Sequence, residues 1–407
     1  MIAIVGELAA RIGGRRRNAP VIGEDLGAIA KGAAAPHSEV VETGSQKRPK
    51  RRNRGGAAME HYAGIDVSME QSSLCVIDDT GAIVLETIVD THPDVIADAL
   101  EPYAKTLKRV GQETGALSPW LHKGLRAHGL PIVCVEAGHT RAALRSMRNK
   151  TDKNDARGIA QILRTGWFRP VYIKSDEAYR MRLLLTARRN LKRKFLDLEN
   201  AVRHSLKAFG IRLGHVARKD FERKVREYLR DDPILIGMVE GLLTARAVLW
   251  TEYVKLHGLV VRIVGRDPLM RRFATVPGVG PITAMSFRAA VDDPARFAKS
   301  RIVGAHFGLT PRRYQSGTSI DYGGRISKMG DEEVRAALYE AANVLLTLKR
   351  GKDPIKTWGK KIAKRRGHKA ACCAVARKLA IVLHAMWRDG TDYGAPKSPP
   401  HLLEIAA

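Results

Sequence analysis

The chain has 407 residues, enough for two or three domains that each bury a core. With 70 Lys and Arg against 42 Asp and Glu, the formal net charge is +28, which argues against an ordinary metabolic enzyme and for a polyanionic partner, nucleic acid. Four cysteines without a C-x-x-C pair exclude a disulfide scaffold and a standard zinc module, and fit a reducing cytoplasm.

No apolar run reaches the roughly eighteen residues of a membrane-spanning helix, so no membrane partner is expected. The start MIAIVGELAA is short, carries Glu7 and makes a poor secretory signal. Residues 1–58 are rich in Arg, Lys and Gly with little apolar periodicity, and are expected to be a disordered basic leader. Such a leader either grips phosphates or has no structural role, with Met59 as the true start. From Tyr62 the text changes. YAGIDVS, SSLCVID and AIVLETIV read as three strands, with DDTG as a turn. A helix follows near Pro93 to Lys105, then the strand LKRVGQE, a helix opened by Ser118-Pro119, the strand LPIVCVE, and a helix through Asp155 to about Thr165. This βββαβαβα order predicts an α/β domain with a mixed sheet, the ribonuclease-H-like arrangement, over 59–175.

From 176 to 265 the pattern is helical and basic. Leu184, Leu191, Phe195, Leu198, Val202 and Phe209 form a coiled-coil-like stripe, consistent with either a helical hairpin or a dimerising spacer. A mainly α third domain is expected over 266–395, with a tail over 396–407. Its VPGVGPITA has the helix-hairpin-helix form, in which Gly278 and Gly280 allow backbone amides to approach a phosphate; plain helix packing is the alternative. FGLTPRRYQSGTSIDYGGRISKMGDEEVRAALYEAAN reads as a loop-rich segment followed by a helix, and KKIAKRRGHKAACCAVARKLAIVLHAMW as an amphipathic helix behind a basic face.

Four acids stand where such a sheet would gather them. Asp66 ends the first strand and Glu113 the fourth, while Asp152 and Asp155 are three apart at a helix start and share a side. Clustered carboxylates repel unless cations neutralise them, and hard oxygen donors suit Mg²⁺ or Mn²⁺. Two such ions serve phosphodiester cleavage. Each acid alone also fits a structural role, as a helix cap or first-turn acid. Glu136 is a competing carboxylate on a strand farther from the first, and His139 beside it is expected in a turn. A second candidate is Ser316, preceded by Arg312 and Arg313 and followed by Arg325 and Lys328. A serine attacks phosphorus when guanidinium groups bind the phosphate oxygens, although Ser-Gly is also an ordinary turn pair. No Ser/His/Asp constellation and no ATP-binding P-loop accompany it.

GIDVS, VGQETG, NKTDKNDARGIAQ, VPGVGPITA, GLTPRRYQSG and GRISKMGDEEVRAALYEAA occur in that order. Together they resemble the one-ten family of bacterial insertion-sequence transposases, the DEDD transposases related to Piv-type DNA invertases, over about residues 60–393. The resemblance implies a RuvC-like domain, a coiled-coil spacer and a C-terminal transposase domain. It puts the metal-binding acids on Asp66, Glu113, Asp152 and Asp155, and the serine nucleophile on Ser316. Where better-known members often carry a second serine beside the nucleophile, this chain has Gln315, with Ser319 nearby. It further implies a covalent phosphoserine link to double-stranded DNA at element ends and target, a composite centre shared between subunits, dimers pairing into tetramers, and in some members guidance by an element-encoded RNA. A cytoplasmic, nucleoid-associated enzyme is expected. A RuvC-like nuclease using only acids and water, and a non-catalytic nucleic-acid-binding protein, are the alternatives.

Overall fold

Alternating apolar residues build the first sheet, which the computed structural model contains within residues 59–145, 151–316, 320–349 and 351–394, the parts of the chain it describes. The leader, the tail and Ser319 lie outside them. Strands β1 (His61–Val67), β2 (Gln71–Asp78) and β3 (Ile83–Asp90) form an antiparallel meander. Its second turn, between β2 and β3, is closed by Asp78, whose Oδ1 accepts from the backbone N–H groups of Thr80 and Ala82 at 2.9 Å each. Strands β4 (Leu107–Glu113) and β5 (Ile132–Val135) then run parallel to β1, giving the order β3-β2-β1-β4-β5.

The period of two splits this sheet into two faces. Ala63, Ile65, Leu74 and Val76 pack against α1 (Pro93–Leu100) and α2 (Ser118–Ala127). Tyr62, Cys75, Ile77 and Val135 pack on the other side against Ala156, Ile159, Ala160 and Leu163 of α4 (Asp152–Thr165). The expected mixed sheet is present with one addition. Ala137–Leu144 is a helix, α3, so His139 sits on a helix rather than in a turn, its ring edge-on to Trp167 at 5.3 Å.

The rest is mostly helical. Helices α5 (Asp176–Lys207) and α7 (Pro233–Arg266) pack along each other, with the short α6 (Phe221–Leu229) between them in sequence. Phe195 and Val202 of the stripe are fully buried, whereas Phe209 lies beyond the end of α5 and is 58% exposed. One end of this pair forms its own core of Val202, Leu206, Phe221, Val225, Val239 and Leu243. The other end contributes Met181, Leu185, Val260 and Val264 to the largest core. That core is completed by α8 (Pro268–Ala274), α9 (Pro281–Val291), α10 (Ser300–His306), α11 (Glu332–Thr347), α12 (Pro354–Arg366) and α13 (His368–Asp389).

Two expectations change here. The segment read as loop-rich holds a β-ribbon, β6 (Pro311–Ser316) with β7 (Ile320–Ile326). The C-terminal stretch is two helices, broken where Gly367 takes φ +83° and caps α12. Although no long uninterrupted apolar run was found, α7 and α13 are each long and apolar enough to cross a membrane by length and composition alone; α13 is half buried in the core.

Candidate active site

The register of β1 on β4 brings the first two acids together. Gly64 pairs with Gly111 and Ile65 with Gln112, so the next step sets Asp66 beside Glu113 at the carboxyl ends of adjacent parallel strands, whose backbones run about 4.8 Å apart. Both lie two residues beyond a glycine that faces α4, so both belong to the α4 face. A Cβ on Gly64 would lie 2.1 Å from the Ala156 carbonyl oxygen, and one on Gly111 would lie 2.5 Å from Leu163 Cδ1. The glycines therefore form a slot in which α4 rests on the sheet. Sequence reasoning passed over these residues, although G-I-D at a strand end was a usable signal.

Helix α4 runs antiparallel to β1. Ala156 lies over Gly64, while the Leu163 carbonyl accepts from Arg109 Nη1 at 3.1 Å, and Arg109 pairs with Tyr62 near the start of β1. The amino end of α4, with Asp152 and Asp155, is thus at the same sheet end as Asp66 and Glu113. Thr151 caps the helix, its hydroxyl accepting from Asn154 N. Arg157 fastens it to β3 through two hydrogen bonds to Glu86, of 2.5 and 2.8 Å. That pairing holds the Glu86 carboxyl below its usual range.

The loop after Glu113 is fixed by Ser118, which sequence reasoning read only as the opening of a helix. Its hydroxyl donates to the Glu113 carbonyl at 2.7 Å and accepts from Gly115 N at 2.6 Å, while Gln112 Nε2 donates to its carbonyl at 2.8 Å. Asp66, Glu113 and Ser118 line one cleft of about 300 Å³ with Val67, Ser68, Met69 and Thr114. Burial, with a smaller push from the charge of Glu113, outweighs the opposing hydrogen bond of Ser118 and takes the Cys134 thiol up to about 11, so it is neutral at physiological pH and no thiolate donor. Glu136 is the N-cap residue of α3, one step past β5, and joins no such cleft lining.

The four carboxylates near this sheet end offer oxygen donors, the kind that hard divalent cations take. The four acids share one end of one face without closing into a cage. Among the described residues no three His, Cys, Asp or Glu side chains are grouped so as to hold an ion.

Ser316 ends β6, paired with Ile320 across the ribbon. Arg312, Arg313, Arg325 and Lys328 are all exposed on the ribbon and its root. That root is a backbone-on-backbone crossing. Gly308 (φ +67°) and Gly330 (φ +76°) would each carry a Cβ within 2.3 Å of a carbonyl oxygen, of Met329 and His306 respectively. Arg335 ties the crossing by donating to the carbonyls of Phe307 and Met329. Gly278 (φ +88°) has an internal reason as well, since a Cβ there would lie 2.4 Å from the Ala341 carbonyl of α11. Gly280, in contrast, is the N-cap residue of α9 and has open space where its Cβ would be.

Residues 63–211 match the model for DEDD transposases of the IS110 type, and residues 270–356 the model described as the transposase IS116/IS110/IS902 family. Together the two matches span more than half of the chain. The chain is 28% identical over 331 residues to the transposase for insertion sequence element IS1111A of Coxiella burnetii, covering 79% of this chain and 88% of that one. It is 30% identical over 120 residues to the pilin gene-inverting protein of Moraxella bovis, covering 30% of this chain and 37% of the relative. Among solved structures, RuvC of T. thermophilus in complex with a Holliday junction substrate aligns at 15% identity over 28% of this chain and 99% of that one, with a TM-score of 0.22.

The class is that of enzymes that move DNA segments, the transposases and site-specific recombinases. Within it, the chain belongs to the IS110 family of DEDD transposases. DNA binding and the use of a divalent metal follow from that membership.

Proposed function

We propose that Asp66, Glu113, Asp152 and Asp155 hold Mg²⁺, or Mn²⁺, and that Ser316 is the nucleophile that breaks and rejoins double-stranded DNA at the element ends and target. The observation that carries the reading is the register that sets Asp66 beside Glu113, with the first turn of α4 at the same sheet end. When bound, such a cation neutralises the carboxylates and the charge that develops at phosphorus. The chain supplies the rest. The Ser316 oxygen bonds the scissile phosphorus, the bond from phosphorus to the departing sugar oxygen breaks, and the serine proton ends on that oxygen. The phosphodiester is thereby exchanged rather than hydrolysed, so rejoining requires no ATP, which agrees with the absence of a P-loop in the sequence. Arg312, Arg313, Arg325 and Lys328 bind phosphate oxygens along the ribbon, and backbone amides at Gly278 and Gly280 take a neighbouring phosphate.

In the same reading residues 59–175, 176–265 and 266–395 are the RuvC-like, spacer and transposase parts. The α5–α7 pair is a coiled-coil spacer joining subunits into dimers that meet as tetramers, so that Ser316 of one copy serves the acids of another. The enzyme works in the cytoplasm on nucleoid DNA, and an element-encoded RNA selects donor and target. The carriage of the acids by the sheet and α4, and of Ser316 by the separate ribbon, supports a shared centre. Strand exchange with Ser316→Ala tests the serine. It should be abolished while DNA binding persists; retained recombination overturns the assignment. A nuclease that uses the acids alone would instead leave Ser316→Ala fully active in cleavage.

A further inference from the structure

The chain has five tryptophans, and four of them are engaged. Trp120 lies against His92, Trp167 against His139, Trp250 against Phe195, Tyr253 and Arg218, and Trp387 against Phe273 and Arg288. Trp358 on α12 touches no ring or cation among the described residues and is 43% exposed. It helps line a cleft of about 480 Å³ with Lys352, Asp353, Pro354, Thr357 and Lys361. The helix under it is held firmly. Asp353 caps α12 through Lys356 N at 2.9 Å and accepts from the Tyr393 hydroxyl at 2.6 Å. Gly359, on the inner side, leaves no room for a Cβ against Val375 and Leu346. The outer side is strongly cationic. PIKTWGKKIAKRR has no acid, and Lys360, Lys361, Lys364, Arg365 and Arg366 are exposed and form no ion pair with a described residue.

A fixed, solvent-facing indole between unneutralised lysines is suited to stacking a base while the flanking phosphates are neutralised. We propose that this cleft is a subsite for an unpaired nucleotide of RNA, with Trp358 stacking on the base and Lys352 and Lys361 meeting the phosphates on either side. Duplex DNA keeps its bases stacked and would have to open to present one, whereas RNA loops offer unstacked bases at no such cost. The inference rests on the RNA-partner reading above.

The full-length protein should be titrated with a single-stranded RNA oligonucleotide, its DNA counterpart and a DNA duplex, read by anisotropy and tryptophan emission. Single-stranded RNA should quench the emission of the wild type. Trp358→Ala should remove that component and weaken RNA binding about tenfold, Trp358→Phe should recover part of the loss, and duplex affinity should not change. Lys361→Ala should lower the slope of log affinity against log salt by about 0.7. Equal RNA affinity for wild type and Trp358→Ala overturns the subsite while leaving the RNA reading intact; no RNA binding by the wild type removes both. Tighter binding of single-stranded DNA than of RNA overturns the RNA assignment. A change in sedimentation of Trp358→Ala at unchanged RNA affinity shows instead that a second copy covers this face.

Discussion

Replacing Gly64 by alanine tests how the acids are positioned without touching any of them. The added methyl would lie 2.1 Å from the Ala156 carbonyl oxygen and 2.6 Å from Ala160 N, where ordinary contact begins near 3.4 Å. Both obstacles are helix backbone, so no side-chain rotation relieves them, and α4 has to move off the sheet by about an ångström. Overpacking of this kind costs about 1–3 kcal/mol. The larger effect is on chemistry, because α4 carries Asp152 and Asp155, and misplacement of reacting groups by about 1 Å costs on the order of a hundredfold in rate. Gly111→Ala is the control. Its Cβ would meet the Leu163 and Ile159 side chains, which have rotamers to change, so about 1 kcal/mol and a few-fold in rate are expected. Urea denaturation gives the stability and an in vitro strand-exchange assay the rate. Wild-type stability together with wild-type exchange in Gly64→Ala would refute the glycine slot and the placement of α4 derived from it.

Asp66→Asn should abolish strand exchange and weaken its dependence on added Mg²⁺ while leaving DNA affinity within a few-fold, as gel shifts at fixed salt would report. Arg246, 5% exposed, pairs with Glu222 and Glu199 and lies over Phe195 and Phe221. Its replacement by alanine takes the partner from Glu222 and one of two from Glu199, which keeps Arg203, and uncovers both rings, so it should destabilise the far end of the α5–α7 pair by about 2 kcal/mol, seen as faster hydrogen exchange in residues of that end. At the ribbon's root, burial raises the Asp331 carboxyl, but its bond to Arg182, that residue's charge and the Val334 N–H outweigh it and hold the pKa below its ordinary 3.8. A depressed folded pKa means that the contribution is complete above the unfolded value and is lost as pH falls through the folded one. Asp331→Asn keeps a capping side chain but loses the charge, so it should be less stable by about 1 kcal/mol at neutral pH, with the difference shrinking below pH 3.8. A difference independent of pH in urea midpoints would contradict that assignment.

The sheet was readable because its strands alternate, its turns carry D-D-T-G, and α2 announces itself with Ser118-Pro119. Asp66 and Glu113 were readable for the same reason, as acids closing apolar runs. The ribbon was not. PRRYQS has no apolar alternation, and in IDYGGRI the alternation of Ile320, Tyr322 and Ile326 is interrupted by Gly-Gly, so the isolated two-stranded pair resembles a loop in sequence. The break between α12 and α13 was hidden because K-R-R-G-H continues both charge and helical spacing, and only the positive φ of Gly367 ends the first helix. Helix α3 lacks a side-chain cap bond at Glu136 and has little apolar periodicity to mark it. Gly278 was read toward a phosphate from its motif, while its close approach to α11 depends on a partner more than sixty residues away, which local sequence does not display.

The most direct test of the central claim is to stop the reaction on a nicked or suicide DNA substrate, digest the protein and identify the peptide joined to DNA by mass spectrometry. The account predicts a phosphodiester link on Ser316, formed only with a divalent cation and absent in Asp66→Asn. Cut DNA accumulating with no linked peptide, or a link on another residue, would contradict it.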